Sequence, residues 1–291
     1  MAIFFRNWFC GVDMENIVFL LDNAALRGLI TASGEASGFP DDNLLYDQRS
    51  VVWIQDAAGA ATLDVTLDAS EDVPIEAWAL IDPNLGTDSS ETLRVRAWSD
   101  AINGSTLVYD TNDDTTSPFN IWQPFIDESL DDLFTDDVMA RIKPCPMMLT
   151  GLTTTPKYWR FDLAGSIVHQ AGVIFLGSMF QPDVTVDASH QTVLKGRTNE
   201  KETDGGQTYT RSALSRKKLK FKLSNLSELE KWELMLRWLK VQDHEKILVC
   251  RNPDGDIDQI MSTIYGRIKD FDANDINYLF SGMPAEIIED L

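Results

Sequence analysis

The chain of 291 residues is 44% hydrophobic and 24% charged, so it is long enough for about two domains with hydrophobic cores of their own. Its formal net charge of −21 argues against nucleic-acid binding, because that affinity comes mostly from neutralised phosphates. Three widely spaced cysteines, Cys10, Cys145 and Cys250, form no CxxC pair and argue against a disulfide framework. No apolar run reaches the ~20 residues of a membrane helix, so no membrane insertion is expected.

The first 29 residues are predicted to form an N-terminal arm with a leading strand and a short helix. From Ile30 onward the chain becomes a succession of short β-like runs separated by turn-rich stretches, a spacing typical of an all-β sandwich. In the run from Tyr158, polar and apolar side chains alternate as they do in a strand between a core and solvent. The predicted strands are Ser50–Gln55, Ala61–Leu67, Ile75–Ile81, Thr92–Ser99, Leu107–Asp110, Met147–Leu149, Tyr158–Leu163 and Val173–Leu176.

An aspartate-rich segment from about residue 110 to 140 interrupts these strands and is interpreted as an insertion or long loop with a short helix. Its start allows two interpretations, a solvated loop or a structural cation site, since calcium is bound by several oxygen ligands held in one loop. The residues concerned are Asp110, Asn112, Asp113 and Asp114. The solvated loop is preferred, because the residues lack the register of an EF-hand.

After Gly177 the pattern changes to longer strands and one strong helix, which predicts a smaller α+β domain over residues 179–291. Ser227 and Glu230 match a capping box at the start of this helix. Its apolar face is predicted to consist of Leu229, Trp232, Met235, Leu236 and Leu239. Thr192–Thr198, Gln207–Arg211 and Lys217–Leu223 are predicted to form two or three strands around a glycine turn. A second hairpin is predicted at Lys246–Arg251 and Ile260–Arg267.

Two groups of residues are candidates for contact with other molecules. Trp53 and Trp122 flank loops, whereas tryptophans at strand or helix spacing more often fill cores. The second group is a basic run that could dock on an acidic neighbour: Arg211, Arg216, Lys217, Lys218, Lys220 and Lys222. Residues 1–180 carry 27 acidic and 9 basic side chains, so this neighbour could be another copy of the chain. The alternative is the solvated face of one strand, which the alternation of lysine with apolar residues favours.

The residue types of a reaction centre are mostly missing from the required patterns. The three histidines, His169, His190 and His244, form no local ligand pair with each other or with cysteine, so no metal site is predicted and loop or surface positions are expected. The nucleophile motif GxSxG, the phosphate-binding motif GxxxxGK and the dinucleotide fingerprint GxGxxG are absent. We therefore expect a protein that is not an enzyme and that uses no cofactor.

Seven segments in a fixed order carry a resemblance to a known family. They are ITASGEASGFPDDNLL (Ile30 to Leu45), Trp53, LDVTL (Leu63 to Leu67), AWALIDPNL (Ala77 to Leu85), LRVRAWSD (Leu93 to Asp100), YWRFDL (Tyr158 to Leu163) and VIFLG (Val173 to Gly177). In combination they resemble the galactose-binding-like, or discoidin-like, jelly roll. More narrowly, they resemble the version found in tail and baseplate proteins of tailed bacteriophages. A jelly-roll domain over residues 30–178 follows from this resemblance.

The resemblance implies a structural protein of the virion, at the tail tip or baseplate, that is synthesised in the host cytoplasm. It would form a symmetric ring with itself and dock other tail proteins. The alternative is a carbohydrate-binding or host-surface-binding module, and an enzyme acting on glycans ranks third. The chain departs from the family pattern in its acidic insertion and in lacking an obvious sugar-binding set of arginine, histidine and aromatic residues.

Overall fold

The structure is a computed structural model, and it describes residues 17–85, 92–111, 145–152, 154–183, 191–202, 208–223, 226–241, 246–250, 263–271 and 283–289. Within these residues sixteen strands and one α-helix follow each other along the chain. The strands are β1 (Val18–Leu21), β2 (Leu29–Ala32), β3 (Trp53–Ile54), β4 (Ala61–Thr66), β5 (Ala77–Ile81), β6 (Thr92–Trp98), β7 (Leu107–Asp110), β8 (Met147–Leu149), β9 (Tyr158–Ala164), β10 (Gln170–Ala171), β11 (Val173–Phe180), β12 (Gln191–Glu202), β13 (Thr208–Leu223), β14 (Ile247–Cys250), β15 (Ile264–Phe271) and β16 (Met283–Glu289). The helix α1 spans Glu228–Val241 and lies between β13 and β14.

Five strands form the small sheet, in the order β2-β4-β9-β6-β7, and every neighbouring pair in it is antiparallel. Apolar and polar residues alternate along β4 and β9, so one face of each strand is buried and the other is partly exposed. This period of two is what the sequence predicts for a sheet with one face on a core.

Nine strands form the large sheet, in the order β12-β13-β16-β15-β14-β1-β11-β5-β8. Its central strands β1, β5 and β14 are buried along their whole length, which matches their nearly continuous apolar sequences. The register of β11 with β5 pairs Val173 with Ile81 and Gly177 with Ala77. Strands from both halves of the sequence therefore share one antiparallel sheet.

Three apolar cores form on the large sheet among the described residues: one beneath the small sheet, one beneath the helix, and one on the opposite face that includes Val18, Ala79 and Phe175. The first holds Trp53, Trp78, Trp159 and Phe161, with the rings of Trp78 and Phe161 packed edge to face at 5.9 Å between centroids. The second joins α1 to β1, β13, β14, β15 and β16. The two sheets thus form a mainly β, antiparallel sandwich followed by strands and a helix, which confirms the predicted fold class.

The positions of most predicted strands are confirmed to within a few residues. Thr192–Thr198, Gln207–Arg211 and Lys217–Leu223, predicted as two or three strands, form two: the last two runs belong to the single long strand β13, which pairs with β12 through a bulge at Lys195/Arg197. The leading strand of the predicted arm is also present. It is β1, which lies at the centre of the large sheet between β14 and β11.

The division into domains at residues 178 and 179 remains a prediction. Strand β11 runs through that position, and the large sheet continues on both sides of it. Most of the acidic segment, from residue 112 to 140, lies outside the described residues. Within the described part of the chain, no helix is both long and apolar enough to cross a bilayer.

Candidate contact surface

Helix α1 begins at the capping box that the sequence predicts. The backbone N–H of Ser227 donates to Glu230 Oε2 at 2.8 Å, and the backbone N–H of Glu230 donates to Ser227 Oγ at 3.3 Å. The backbone N–H of Asp183 also donates to Glu230 Oε1 at 2.8 Å. Burial alone would raise the pKa of Glu230, but these hydrogen bonds outweigh it and lower the pKa below its usual value. The cap fixes both the start of the helix and its attachment to the chain after β11.

The inner face of α1 packs on the large sheet through two residues outside the predicted apolar face. Leu234 and Trp238 are buried, and the ring of Trp238 meets Phe19 of β1 edge to face at 6.2 Å between centroids. Arg237 holds the helix from the side, because its Nη1 donates to the carbonyl oxygen of Met179 at 2.9 Å. The helix is therefore anchored to the large sheet by the buried side chains of Leu234 and Trp238 and by one hydrogen bond to Met179, near the end of β11.

The outer face of α1 carries a second apolar row, which we call the apolar stripe. It consists of Leu229, Trp232, Leu236 and Leu239, which are 78%, 55%, 58% and 70% exposed. At 100° per residue, these four positions centre on the side of the helix opposite Leu234 and Trp238. They follow each other at intervals of three, four and three residues and extend over about 15 Å of helix.

The apolar face predicted for this helix is thus not the face that packs on the sheet. Four of its five residues are exposed, and only Met235 packs partly against the core. Two apolar rows occupy the same helix, and periodicity alone gives no indication of which one the sheet covers. The second row was visible in the sequence as the i, i+4 pair Leu234 and Trp238, but Trp232 and Leu236 have the same spacing.

A row of four large exposed apolar side chains is chemically suited to contact with another apolar surface. Single exposed leucines are common on protein surfaces, but continuous apolar patches tend to mark interaction sites. The capped helix presents the row on a rigid element, so little order would be lost when a partner binds. The stripe is therefore the best candidate for a functional site in the described part of the chain.

Trp53 is not available for contact, so that prediction was wrong. It is fully buried in the core beneath the small sheet, and its indole Nε1–H donates to the carbonyl oxygen of Gly34 at 2.9 Å. The residue sits on the two-residue strand β3, so a position beside loops in the sequence is a core position in the fold. Trp122, the other predicted contact residue, lies outside the described residues.

The basic run is distributed along β13 and does not form a free cationic patch in its described part. Lys217 is buried, and burial lowers the pKa of its ammonium. Lys218 and Lys220 both lie near Glu286 of the neighbouring strand β16, at 2.5 and 3.6 Å. The apolar residues between these lysines, Leu219 and Phe221, are buried. The structure therefore supports the interpretation of the basic run as the solvated face of one strand. The side chains of Arg211 and Arg216 lie outside the described residues, and Lys222 is partly buried.

A buried cluster of charged groups joins the loop before β3 to the end of β16. Arg49 donates to Asp82 and, at 2.5 Å, to Glu289 Oε1, while the backbone N–H of Lys217 donates to Glu289 Oε2 at 2.6 Å. Nearby, the hydroxyl of Tyr265 donates to the carboxylate of Asp47. The carboxylates of this cluster are thus occupied by donors of the chain itself, and their evident role is to connect the two halves of the sequence.

In the part of the chain that the structure describes, the remaining reactive residues form no constellation that points to catalysis. Cys145 and Cys250 are buried and not joined in a disulfide, and burial raises the pKa of the Cys145 thiol. His169, expected in a loop or at the surface, is fully buried. The described residues include no group of three or more histidine, cysteine or acidic side chains that could hold a metal ion. Asp110 accepts from the guanidinium of Arg94 at 2.9 and 2.5 Å.

No family profile matches the chain, and no curated protein matches it in sequence. Several solved structures are similar in fold. Chitosan-binding module 1 of a chitosanase/glucanase from Paenibacillus sp. IK-5 is 17% identical, with 54% of this chain and 99% of that chain covered and a TM-score of 0.34. A fucolectin from the serum of striped bass (Morone saxatilis) is 10% identical, with 93% of each chain covered and a TM-score of 0.35.

A third similar structure is XRCC1, solved in a complex with the catalytic domain of DNA polymerase β. It is 12% identical, with 55% of this chain and 98% of that chain covered and a TM-score of 0.33. The three proteins thus differ in what they are named as binding. Structural similarities with such low sequence identities and TM-scores assign neither a ligand nor a partner to the chain.

Proposed function

We propose that this protein is a non-enzymatic assembly subunit that works by contact with other protein chains through the apolar stripe on α1. The observation that carries the proposal is the exposure of Leu229, Trp232, Leu236 and Leu239 on a capped and anchored helix. A subunit of this kind needs no reaction centre, and it benefits from a rigid β body that presents the contact element. The acidic chain would also stay soluble before it assembles.

The setting we propose is the tail of a tailed bacteriophage, at the tip or baseplate, where the chain would join copies of itself and other tail proteins. This setting comes from the sequence resemblance of residues 30–178 alone. A symmetric ring is the proposed form of the assembly, since closed symmetry is usual among homo-oligomers.

The proposal is tested by the mass and shape of the purified full chain. We expect species larger than 32.7 kDa in sedimentation velocity at roughly micromolar concentrations, and closed rings in negative-stain electron micrographs. Substituting Leu236→Asp on the stripe should reduce this mass, whereas Leu29→Asp, at an exposed leucine on β2, should leave it unchanged. A chain that stays monomeric at every concentration, alone and in the presence of candidate tail proteins, would refute the assembly role.

A carbohydrate-binding module is the second candidate function, and one feature of the loop between β2 and β3 favours it. Phe39 and Tyr46 on this loop are 41% and 56% exposed, and exposed aromatic rings can stack on sugars. Two hydrogen bonds hold the loop in place, from the backbone N–H of Ala32 to Asp41 Oδ2 at 3.1 Å and from Asn43 Nδ2 to the carbonyl oxygen of Val52 at 2.7 Å. The names chitosan-binding module and fucolectin belong to the similar structures above, and no ligand is carried over from them to this chain.

A glycan array separates the two candidates. If the loop binds sugar, the wild-type chain should give specific signals that the double variant Phe39→Ser/Tyr46→Ser loses. Leu107→Ser, at an exposed apolar residue on β7, is the matched control and should keep the signals. A blank array with an oligomeric chain would favour assembly, and specific signals with a monomeric chain would favour the carbohydrate-binding module.

A further inference from the structure

We propose that the partner of the apolar stripe is α1 of a second copy of this chain, packed antiparallel across a two-fold axis. This inference rests on the proposed assembly function and deepens it by naming the partner and the geometry. Spacing, symmetry and charge on the helix support it.

The spacing of the stripe matches another helix better than a flat surface. Leu229, Trp232, Leu236 and Leu239 follow the alternation of three and four residues that forms the seam between two packed helices. The stripe is one residue wide, since the positions beside it carry charged side chains such as Glu228 and Glu233. A narrow, straight row of this kind fits the groove of a facing helix, where side chains interlock.

The stripe is also complementary to itself when it is reversed. A two-fold axis through the middle of the row places Leu229 against Leu239 of the second copy and Trp232 against Leu236 of the second copy. Each bulky indole then faces a leucine on either side of the axis, so the two tryptophans do not compete for one place. Such an isologous contact uses the same patch on both copies and is complete with two, so the proposed ring would be built from these pairs through a second surface.

The charges along the helix favour the antiparallel orientation over the parallel one. Residues 228–234 carry three glutamates and one lysine, whereas residues 235–241 carry Arg237 and Lys240 and no acid. Arg237 already pairs with Glu233 of its own helix at 2.7 Å, but without this pair the first half still has a net charge of −1 and the second half of +1. Antiparallel packing places the acidic half of one helix beside the basic half of the other, and parallel packing places like charges together. The helix dipoles are also better paired in the antiparallel arrangement.

The first test is sedimentation velocity of the full chain over roughly 1 to 100 µM, a range chosen because a single helix pair is a small interface. We expect the wild-type chain to approach twice 32.7 kDa, or a multiple of that pair, as the concentration rises. Trp232→Asp and Leu236→Asp should each lose at least tenfold in association constant. Leu29→Asp should associate as the wild type does, and all three variants should unfold at the wild-type temperature, because the changed side chains are exposed.

The second test fixes the orientation by disulfide trapping in a Cys10→Ser background, since Cys145 and Cys250 are buried. A mixture of the Leu229→Cys and Leu239→Cys variants should form a mixed disulfide dimer under mild oxidation. Each variant alone should cross-link weakly, because antiparallel packing separates identical ends by about 15 Å. Strong cross-linking of each variant alone, with little mixed product, would overturn the antiparallel arrangement.

The outcomes distinguish this inference from the proposed function on which it rests. If the chain assembles but Trp232→Asp and Leu236→Asp assemble equally well, the second copy does not bind the stripe. Self-assembly then uses another surface, and only contact with a different protein could still involve the stripe. If the stripe variants stop binding a different tail protein without changing self-association, the partner named here is wrong. A wild-type chain that remains monomeric and binds glycans would overturn both.

Discussion

Arg49 and Glu289 are 240 positions apart in the sequence, yet Arg49 Nη1 donates to Glu289 Oε1 at 2.5 Å inside the protein. The same guanidinium donates from Nε to Asp82 Oδ2 at 2.8 Å, so one cation serves two buried carboxylates. The Arg49–Glu289 pair connects the loop before β3 to β16, the last described strand. It thereby connects the sandwich to the C-terminal part of the large sheet. The cluster is therefore a structural link across the boundary that the sequence predicts between two domains.

Replacing Arg49 with methionine should destabilise the whole protein strongly. The substitution keeps most of the side-chain volume but leaves Asp82 and Glu289 as buried carboxylates without their cation, which typically costs about 3–5 kcal/mol. Urea unfolding followed by tryptophan fluorescence measures the loss. Arg27→Met is the matched control: Arg27 pairs with Asp22 and Glu71 but is 44% exposed, so its loss should cost no more than about 1 kcal/mol. Equal losses in both variants would contradict the structural role of the buried cluster.

The sequence was sufficient to predict the sandwich because its strands follow simple periods. Alternating strands such as β9 and continuous apolar strands such as β5 each indicate how many of their faces are buried. Neither pattern could predict that β1 would join β14 and β11 at the centre of one nine-stranded sheet. That pairing is set by contacts between residues more than 150 positions apart, which leave no local pattern in a single sequence.

The candidate site was predicted less well than the fold, for a physical reason that α1 makes clear. Leu229 and Leu236 were correctly assigned to one apolar face, but the helix has a second face with Leu234 and Trp238, and the sheet covers that one. Trp53 illustrates the converse error, since a residue that flanks loops in the sequence became part of the core. Which side of an element is covered depends on its partner, and a period alone does not identify the partner.

Asp47 should make the stability of the protein depend on pH in the acidic range. Burial raises the pKa of its carboxyl above the usual value and outweighs the hydrogen bond from Tyr265 and the positive charge of Lys246, which lower it. A raised pKa means that the folded protein binds the proton more tightly than the unfolded chain does. The contribution of Asp47 to stability is therefore greatest at low pH and declines as pH rises from the unfolded pKa through the folded pKa.

The variant Asp47→Asn tests this dependence, because the amide can still accept the hydrogen bond from Tyr265 without carrying a charge. We expect it to flatten the decline in stability with rising pH and to be at least as stable as the wild type near neutral pH. Urea unfolding curves between about pH 4 and 8 provide the measurement. Asp56→Asn makes the same substitution at an exposed aspartate before β4; it is the control and should leave the stability near that of the wild type. A steeper decline in Asp47→Asn would show that the sign is wrong.

The outer face of the small sheet should owe part of its stability to cross-strand ion pairs. Arg160 on β9 donates from Nε and Nη2 to the two carboxylate oxygens of Asp64 on β4, each at 2.6 Å, and the two residues are direct partners in the register. Both side chains are only 18% exposed, so solvent screens the pair incompletely. A double-mutant cycle with Arg160→Ala and Asp64→Ala should give a coupling energy of about 0.5–1 kcal/mol that decreases with added salt. A coupling energy near zero would mean that the Arg160–Asp64 ion pair does not stabilise the folded protein.

Trp53 should matter for stability and not for contact. Trp53→Phe removes the hydrogen bond to Gly34 and part of a buried ring, so we expect a loss of roughly 1–3 kcal/mol in the free energy of unfolding. Trp53→Ala should cost about 3–5 kcal/mol because it leaves a cavity. The folded fraction of Trp53→Phe should assemble, or bind glycan, as the wild type does, which sedimentation and the glycan array measure. If Trp53→Phe were as stable as the wild type but neither assembled nor bound glycan, Trp53 would be a contact residue, in contradiction to its burial.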